Sequence, residues 1–213
     1  MRYPALLLAV LLLSPGHSSA EEINISRFSS AGLSGWETKK FKGQTDYTLL
    51  KENNGTVVKA HSKGTASGLF KKVQLDPERF RYLRWSWKIA GTVTGGDEHK
   101  KAGDDYAARV YVVFPGRFFW QTRAINYIWA NRLQIGQSIP NAFTGNAMMV
   151  AVESGTAQAG QWLHEQRDIL ADYRLLFGDE PGQIGAIAIM TDCDNTGSEA
   201  TAWYGEISIS TSK

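Results

Sequence analysis

Apolar and polar residues alternate along several short stretches of this chain, with the period of two that β-strands show. The clearest stretch is residues 82–90. Its apolar face holds Trp85, Trp87 and Ile89, while Lys88 belongs to the polar face. A strand with one apolar face is typical of a sheet that covers a core on one side only.

The same reasoning predicts strands along most of the chain. The turn 53–55 (Asn-Asn-Gly) favours a hairpin between predicted strands 46–52 and 56–61, because Asn-Gly readily adopts the left-handed turn conformation. A polar stretch at 91–103 is predicted to be a mobile loop. The further predicted strands are 46–52, 56–61, 69–75, 105–114, 124–130, 146–153, 162–167, 184–191 and 201–209.

One short helix, at about 168–177, interrupts the strands. Its apolar residues recur at helical spacing. Asp168 is placed to cap the N-terminus, and Gly178 is placed to end the helix in a left-handed conformation. The resulting expectation is an all-β, jelly-roll-like sandwich with this single helix.

The first twenty residues have the composition of a signal peptide. Arg2 precedes an apolar run at 5–13, and small residues end at Ala20, where cleavage is predicted. The run is too short to span a bilayer, so no stable membrane insertion is expected. We therefore expect a periplasmic or secreted protein, with residues 21–213 forming one β-sandwich domain.

Charge and motifs exclude several functions. After loss of Arg2 the chain has 22 basic and 21 acidic residues, a balance that does not favour nucleic acid as a partner. The lone Cys193 cannot form an internal disulfide. The sequence lacks the common hydrolase, zinc-protease and nucleotide-binding motifs, which leaves catalysis uncertain and less favoured than binding. Oligomeric state is not predicted.

Seven tryptophans suggest a role in ligand contact, since indole rings often lie where an apolar surface meets water. Trp85 and Trp87 are assigned to the core by their strand pattern. Trp129 and Trp162 are predicted to contact ligand, and Trp120 and Trp203 are further platform candidates. These four tryptophans lie near loops or in predicted strands of mixed polarity.

Asp105, Arg109 and Tyr111 fall on one face of the predicted strand 105–114 and form a candidate ligand wall. An arginine fork and a flat aromatic ring suit sugar hydroxyls and apolar sugar faces. The alternative for the same residues is an internal ion pair between Arg109 and Asp105 or another acid.

Asp192, Asp194 and Asn195 follow a predicted strand and offer several hard oxygen ligands over a short arc, which suits Ca²⁺. The alternative is a turn in which these side chains bond backbone groups. In the segment 162–168, Glu165 and Arg167 are expected to form a surface or cross-strand ion pair.

Several blocks of the sequence resemble the exported bacterial family catalogued as domain of unknown function 3047 (DUF3047). The resemblance implies a β-sandwich similar to galactose-binding and carbohydrate-binding jelly rolls, and it implies no reaction. The blocks are 82–89, 103–114, 126–131, 152–155, 162–181 and 187–207.

These observations favour an exported module that binds a carbohydrate-like ligand, with cell-envelope glycan as the specific candidate. A second hypothesis is a carbohydrate-active hydrolase or lyase that uses two carboxylates, Asp105 with either Asp192 or Glu206. A third is an envelope protein-interaction or assembly factor with the aromatic segment Phe118–Trp120 as its contact.

Overall fold

The computed structural model describes residues 20–52 and 55–213, and within them fourteen strands form two seven-stranded sheets. The predicted leader, apart from Ala20, and the turn residues Asn53 and Asn54 lie outside the described residues. No helix among the described residues is long and apolar enough to cross a membrane.

The strands are short and the helices few. Helix α1 (Phe28–Ala31) is one turn long, and α2 (Ile169–Phe177) has nine residues. The strands are β1 (Glu22–Asn24), β2 (Trp36–Lys42), β3 (Asp46–Glu52), β4 (Gly55–Lys63), β5 (Ala66–Leu75), β6 (Tyr82–Ile89), β7 (Arg109–Phe114), β8 (Arg123–Ala130), β9 (Ser138–Asn141), β10 (Thr144–Ser154), β11 (Leu163–Asp168), β12 (Ile184–Asp192), β13 (Glu199–Tyr204) and β14 (Ser208–Ser210).

The first sheet is centred on β6. Strands β13 and β14 pair with one edge of β6, and β11 pairs with the other. Beyond them, β4 and then β3 follow β13, while β1 follows β14. All of these pairings are antiparallel, and the β3–β4 pair runs from Asp46↔His61 to Glu52↔Gly55, which confirms the predicted hairpin.

The second sheet has the order β2-β5-β12-β7-β8-β10-β9, with β8 and β10 parallel and the other neighbours antiparallel. Its inner face packs against that of the first sheet. Aromatic rings join the two faces: Trp85 stacks on Tyr127 at 5.3 Å between centroids, and Trp87 lies 5.9 Å from Trp129. The chain is therefore a β-sandwich of the jelly-roll kind, with its main apolar core between the sheets and a smaller buried cluster around Tyr106 and Ile128 on the second sheet.

Helix α2 forms where the sequence predicted a helix, and it packs on the core. The side chain of Asp168 accepts a hydrogen bond from the backbone N–H of Ala171 at 3.1 Å, which makes it the N-terminal cap. Gly178 ends the helix at φ 74°. Ile169 and Tyr173 bury their side chains in the core.

Most predicted strands differ from the structure by one to three residues at an end, and two differ by more. Residues 105–108 precede β7 instead of belonging to it, because Asp105 bonds the turn at 195–196 and Tyr106 leaves the alternation of the strand. The predicted strand 201–209 is divided, since Gly205 and its neighbours bulge between β13 and β14. Strands β1, β2 and β9 and helix α1 were not predicted.

The segment 91–103, predicted as a mobile loop, is anchored by Glu98. Glu98 is 1% exposed, and its carboxylate accepts hydrogen bonds from the backbone N–H groups of Asn131, Arg132 and Leu133. A buried carboxylate with three backbone donors ties the segment to the end of β8.

Candidate functional site

A groove of about 800 Å³ lies along the first sheet, where the β3–β4 hairpin, β6, β11 and the bulge after β13 meet. Three of its lining residues are Ser86, Trp162 and His164. The others are Lys51, Glu52, Gly55, Thr56, Val57, Arg84, Trp85, Glu165, Gly205 and Glu206.

A row of four side chains crosses the outer face of this sheet beside the groove. In the strand registers, Lys88 faces Trp203, and Trp203 faces Lys59 on its other side. Trp162 continues the row at its outer end, because the next residue, Leu163, faces Trp87. We call Trp162, Lys88, Trp203 and Lys59 the Trp–Lys row.

The ammonium group of Lys88 holds the row together. Its Nζ lies 4.9 Å from the ring centroid of Trp162 and 4.7 Å from that of Trp203. The Nζ of Lys59 lies 5.9 Å from the Trp203 ring. Cation–π contacts at these distances fix the orientation of both indoles while leaving each ring partly open to solvent.

Glu52 sets the position of Trp162 and Lys88. Its carboxylate accepts a hydrogen bond from Trp162 Nε1 at 3.0 Å and lies 3.5 Å from Lys88 Nζ. Both lysine and glutamate are partly shielded from water in this arrangement. The row is therefore held in place by polar contacts before any ligand arrives.

Glu206 lines the groove, but its carboxylate is engaged with the start of α1. It accepts hydrogen bonds from Ser26 and from the backbone N–H groups of Phe28 and Ser29. Burial alone would raise the pKa of Glu206, but these hydrogen bonds outweigh burial and hold the pKa below its ordinary value.

The pKa of Glu165 is shifted in the opposite direction from that of Glu206. Burial, followed by repulsion from Glu153, raises the pKa of Glu165 to about 7. Trp87 Nε1 donates a hydrogen bond of 3.1 Å to Glu165 Oε1. The expected ion pair between Glu165 and Arg167 is wrong, because Arg167 pairs instead with Asp172 across the turn into α2.

The raised pKa of Glu165 predicts that the stability of the fold depends on pH. A carboxyl that keeps its proton longer in the folded state lowers stability as pH rises from about 4.5 to about 7. We expect Glu165→Gln to remove this loss. The free energy of unfolding of the variant, relative to that of the wild type, should therefore rise by about 2 kcal/mol between pH 5 and pH 8 after allowance for solvent screening. Urea unfolding at both pH values measures it.

The control for this prediction is Glu37→Gln, which removes an exposed carboxyl on the other sheet. Its unfolding free energy should follow that of the wild type at both pH values. Parallel curves for the wild type and Glu165→Gln would contradict the raised pKa.

The five residues predicted to contact ligand are not brought together. Trp162 lines the groove. Trp129 is 1% exposed, because it lies on the inner face of a central strand, packed against Trp87. Tyr111 lies on the outer face of the second sheet, where its hydroxyl contacts the sulfur of Met190 at 3.5 Å.

Asp105 and Arg109 belong to an internal network and form no ligand wall. Arg109 makes a buried ion pair with Asp192, which is the alternative that the sequence left open. Asp105 is 0% exposed, and its carboxylate accepts hydrogen bonds from the backbone N–H groups of Asn195 and Thr196. The network joins β7, β12 and the turn after β12.

Three carboxylates of this network, those of Asp105, Asp192 and Asp194, have oxygens within 4.8 Å of one another. Burial and repulsion from Asp105 raise the pKa of Asp194. The side-chain amide of Asn195 donates a hydrogen bond to Asp105 at 3.1 Å. Because protein donors already bond Asp105 and Asp192, the contacts are those of a hydrogen-bonded turn more than of a calcium cage.

The calcium hypothesis is tested by thermal unfolding. Because these donors compete with a cation for the carboxylate oxygens, we expect the Tm in millimolar CaCl₂ to equal the Tm with chelator within about 1 °C. A rise in Tm with calcium that disappears in Asp194→Asn would contradict this expectation and place the ion in the cluster.

The aromatic segment Phe118–Trp120 is exposed as a loop tip. Phe118 and Trp120 stack at 4.8 Å between centroids, and Phe119 is 85% exposed. Asn146 Nδ2 donates to the carbonyl oxygen of Trp120 at 2.6 Å, which fastens the loop to the start of β10. The loop lies on the second sheet, away from the groove.

Sequence reasoning missed the part played by lysines. It assigned Lys88 to the polar face of its strand and gave Lys59 no role. Their contact with Trp203 depends on which strands lie side by side, and the pattern along one strand does not show that.

A family model described as "Protein of unknown function (DUF3047)" matches residues 34–208. No curated protein matches the sequence.

Several solved structures are similar over most of their length. The cellulose induced protein Cip1 has a TM-score of 0.49 at 11% identity, over 89% of this chain and 97% of that one. The mannan-recognising carbohydrate-binding module TmCBM27 has a TM-score of 0.39 at 10% identity, over 91% and 96%. The K1 cleaved adhesin domain of Lys-gingipain from Porphyromonas gingivalis W83 has 0.42 at 13%, over 92% and 99%. Identity at this level says nothing about a shared ligand.

Proposed function

The chain belongs to the DUF3047 family of proteins of unknown function, and on that premise we propose that it is an exported module that binds a carbohydrate-like ligand on the outer face of the first sheet. Cell-envelope glycan is the specific candidate. The observation that carries the proposal is the pair of partly exposed indoles, Trp162 and Trp203, held on one face beside the groove.

The chemistry of the groove supports this proposal. Sugar rings have apolar C–H faces that pack on indoles and hydroxyl rims that need hydrogen-bonding partners. Ser86 and His164 face each other across β6 and β11 and line the groove next to the Trp–Lys row. Flat apolar surfaces and polar groups therefore lie together within the reach of one short oligosaccharide.

Rigidity of the row favours binding. Lys88 and Glu52 hold Trp162 in one orientation, so less side-chain entropy is lost when a ligand packs on it. Seven tryptophans are more than the core uses: Trp85, Trp87 and Trp129 are buried, whereas Trp162 and Trp203 keep a partly exposed surface.

The experiment is a binding screen of the purified protein against soluble and insoluble glycans, including cell-envelope preparations, with a parallel assay for released reducing ends. Binding without products is the result expected for a recognition module. If no glycan binds or raises the Tm, the proposal fails, and the exposed loop Phe118–Trp120 becomes the first surface to test for a protein partner.

A hydrolase is the second candidate, favoured by one observation. Glu165 lies at the groove and has a pKa of about 7, and a carboxyl that is partly protonated near neutral pH can serve as a general acid. Its carboxylate lies on the core side of β11, where it bonds Trp87, whereas Glu52 lies on the outer face. The acids suggested by sequence, Asp105, Asp192 and Glu206, are likewise engaged in internal hydrogen bonds, and the pKa of Glu206 is lowered instead of raised. Product release that disappears in Glu165→Gln would establish this candidate.

The proposal includes export to the periplasm or the medium, which rests on the leader-like residues 1–20. Expression of the full chain in a Gram-negative host, followed by N-terminal sequencing of the periplasmic fraction, tests it. A mature N-terminus at Glu21 is expected, and retention of Met1 in the cytoplasmic fraction would contradict export.

A further inference from the structure

The Trp–Lys row suggests what kind of glycan fits. We propose, on the premise that the outer face of the first sheet binds glycan, that the ligand is an acidic polysaccharide in which charged sugars alternate with uncharged ones. The row would place indoles under the uncharged sugars and ammonium groups beside the charged ones.

The spacing of the row is the first argument. Lys88, Trp203 and Lys59 lie on the neighbouring strands β6, β13 and β4, and Trp162 immediately precedes β11, the strand on the other side of β6. Neighbouring strands are about 4.8 Å apart, so alternate members of the row are about 10 Å apart. Two linked sugar rings span a similar distance, so a glycan lying across the strands meets indole and ammonium in turn.

The charge around the row is the second argument. Lys59 has no acidic partner within salt-bridge distance among the described residues, and Lys51 at the edge of the groove has none there either. Lys88 has Glu52, but this carboxylate is shared with Trp162 Nε1. The row therefore offers more positive than negative charge to a ligand.

The environment of Lys88 is the third argument. Its side chain is 19% exposed and lies between two indole rings, so water screens its charge less than that of a surface lysine. A sugar carboxylate at this position would gain a charge-assisted hydrogen bond in a partly desolvated site. A neutral sugar chain would leave the ammonium group without that partner.

The test compares hyaluronan oligosaccharides, in which a uronate alternates with an uncharged amino sugar, with the same oligosaccharides after chemical reduction of their carboxyl groups. Isothermal titration at low ionic strength measures both. We expect the native form to bind about tenfold more tightly or better, since loss of one charge-assisted contact in a shielded site has at least this effect.

Variants identify the residues responsible. Lys88→Gln and Lys59→Gln should each weaken binding of native hyaluronan by about tenfold and weaken binding of the reduced form by clearly less, since only the native form loses a charge-assisted contact. Lys40→Gln removes the same charge from an exposed position on the second sheet and should change neither. Unfolding curves of each variant show whether the fold is retained.

The outcomes separate this inference from the proposed function. Equal binding of native and reduced hyaluronan would overturn the acidic ligand while leaving glycan binding in place. The same conclusion would follow if neither form of hyaluronan binds but neutral glycans bind in the screen. Equal affinity for polygalacturonate, in which every sugar is charged, would overturn the alternation. Equal affinity for poly-L-glutamate would show attraction of charge alone and overturn the inference. If no glycan of any kind binds, both proposals fail.

Discussion

Replacing Asp192 by asparagine is expected to destabilise the protein by about 3–5 kcal/mol, because the substitution leaves the buried charge of Arg109 without its partner. The side chains of Arg109 and Asp192 are 5% and 2% exposed. The guanidinium group also lies 4.6 Å from the Tyr106 ring. For a chain of this size the loss corresponds to a fall in Tm of roughly 10 °C.

Asparagine is the sharper choice at this position because it keeps an acceptor for the backbone N–H of Tyr106, which Asp192 bonds at 3.2 Å. The double variant Arg109→Met/Asp192→Asn should recover most of the stability, since removing both charges removes the desolvation cost of the unpaired one. Urea unfolding of the two variants measures this recovery.

Glu37→Gln is the matched control, because Glu37 forms an ion pair with Lys72 at 2.9 Å on an exposed surface. Breaking an exposed pair is expected to cost less than about 1 kcal/mol. If Asp192→Asn is tolerated as well as Glu37→Gln, the buried pair does not stabilise the sandwich in the way described.

The double variant Trp162→Ala/Trp203→Ala is expected to lose at least about 30-fold in affinity for any glycan that the wild type binds, because truncating a central aromatic contact costs about 2 kcal/mol or more. Both rings lie on the outer face, and Lys88 loses both of its cation–π partners in this variant. Titration with the best ligand from the screen measures the loss.

Trp120→Ala is the control for this prediction. Trp120 is 57% exposed on the aromatic loop of the second sheet, so its removal changes the same residue type at an open position away from the groove. It should leave glycan affinity unchanged. If it instead removes binding while Trp162→Ala/Trp203→Ala does not, the ligand surface is the Phe118–Trp120 loop and the site has been assigned to the wrong sheet.

The sequence pattern predicted much of the sandwich correctly where one face of a strand is apolar. Strand β6 begins at Tyr82 as expected and buries Trp85 and Trp87. The helix α2 follows its predicted cap and termination residues, because capping is a local effect of backbone and side chain. Strand β2 was missed, since its residues are mostly exposed and polar and show no apolar face.

The candidate site was predicted only in part. Trp162 was identified, and Trp203 was noted as a platform candidate. Trp129 was assigned to the same role, but it lies in a strand with neighbours on both edges and points into the core. The pattern along a strand separates its two faces, and it does not show which face another sheet will cover.

What the sequence by itself determined is therefore local: the strands with an apolar face, the α2 helix, and the side of β6 on which Lys88 lies. The tertiary structure alone decided that β11, β6, β13 and β4 lie side by side, which brings together Trp162, Lys88, Trp203 and Lys59. It also decided that Arg109 pairs with Asp192 instead of facing a ligand. The physical reason is that side-chain direction follows from the period of the strand, whereas strand neighbours are chosen by packing of residues far apart in the chain, from 76 positions for Leu163 and Trp87 to 144 for Trp203 and Lys59.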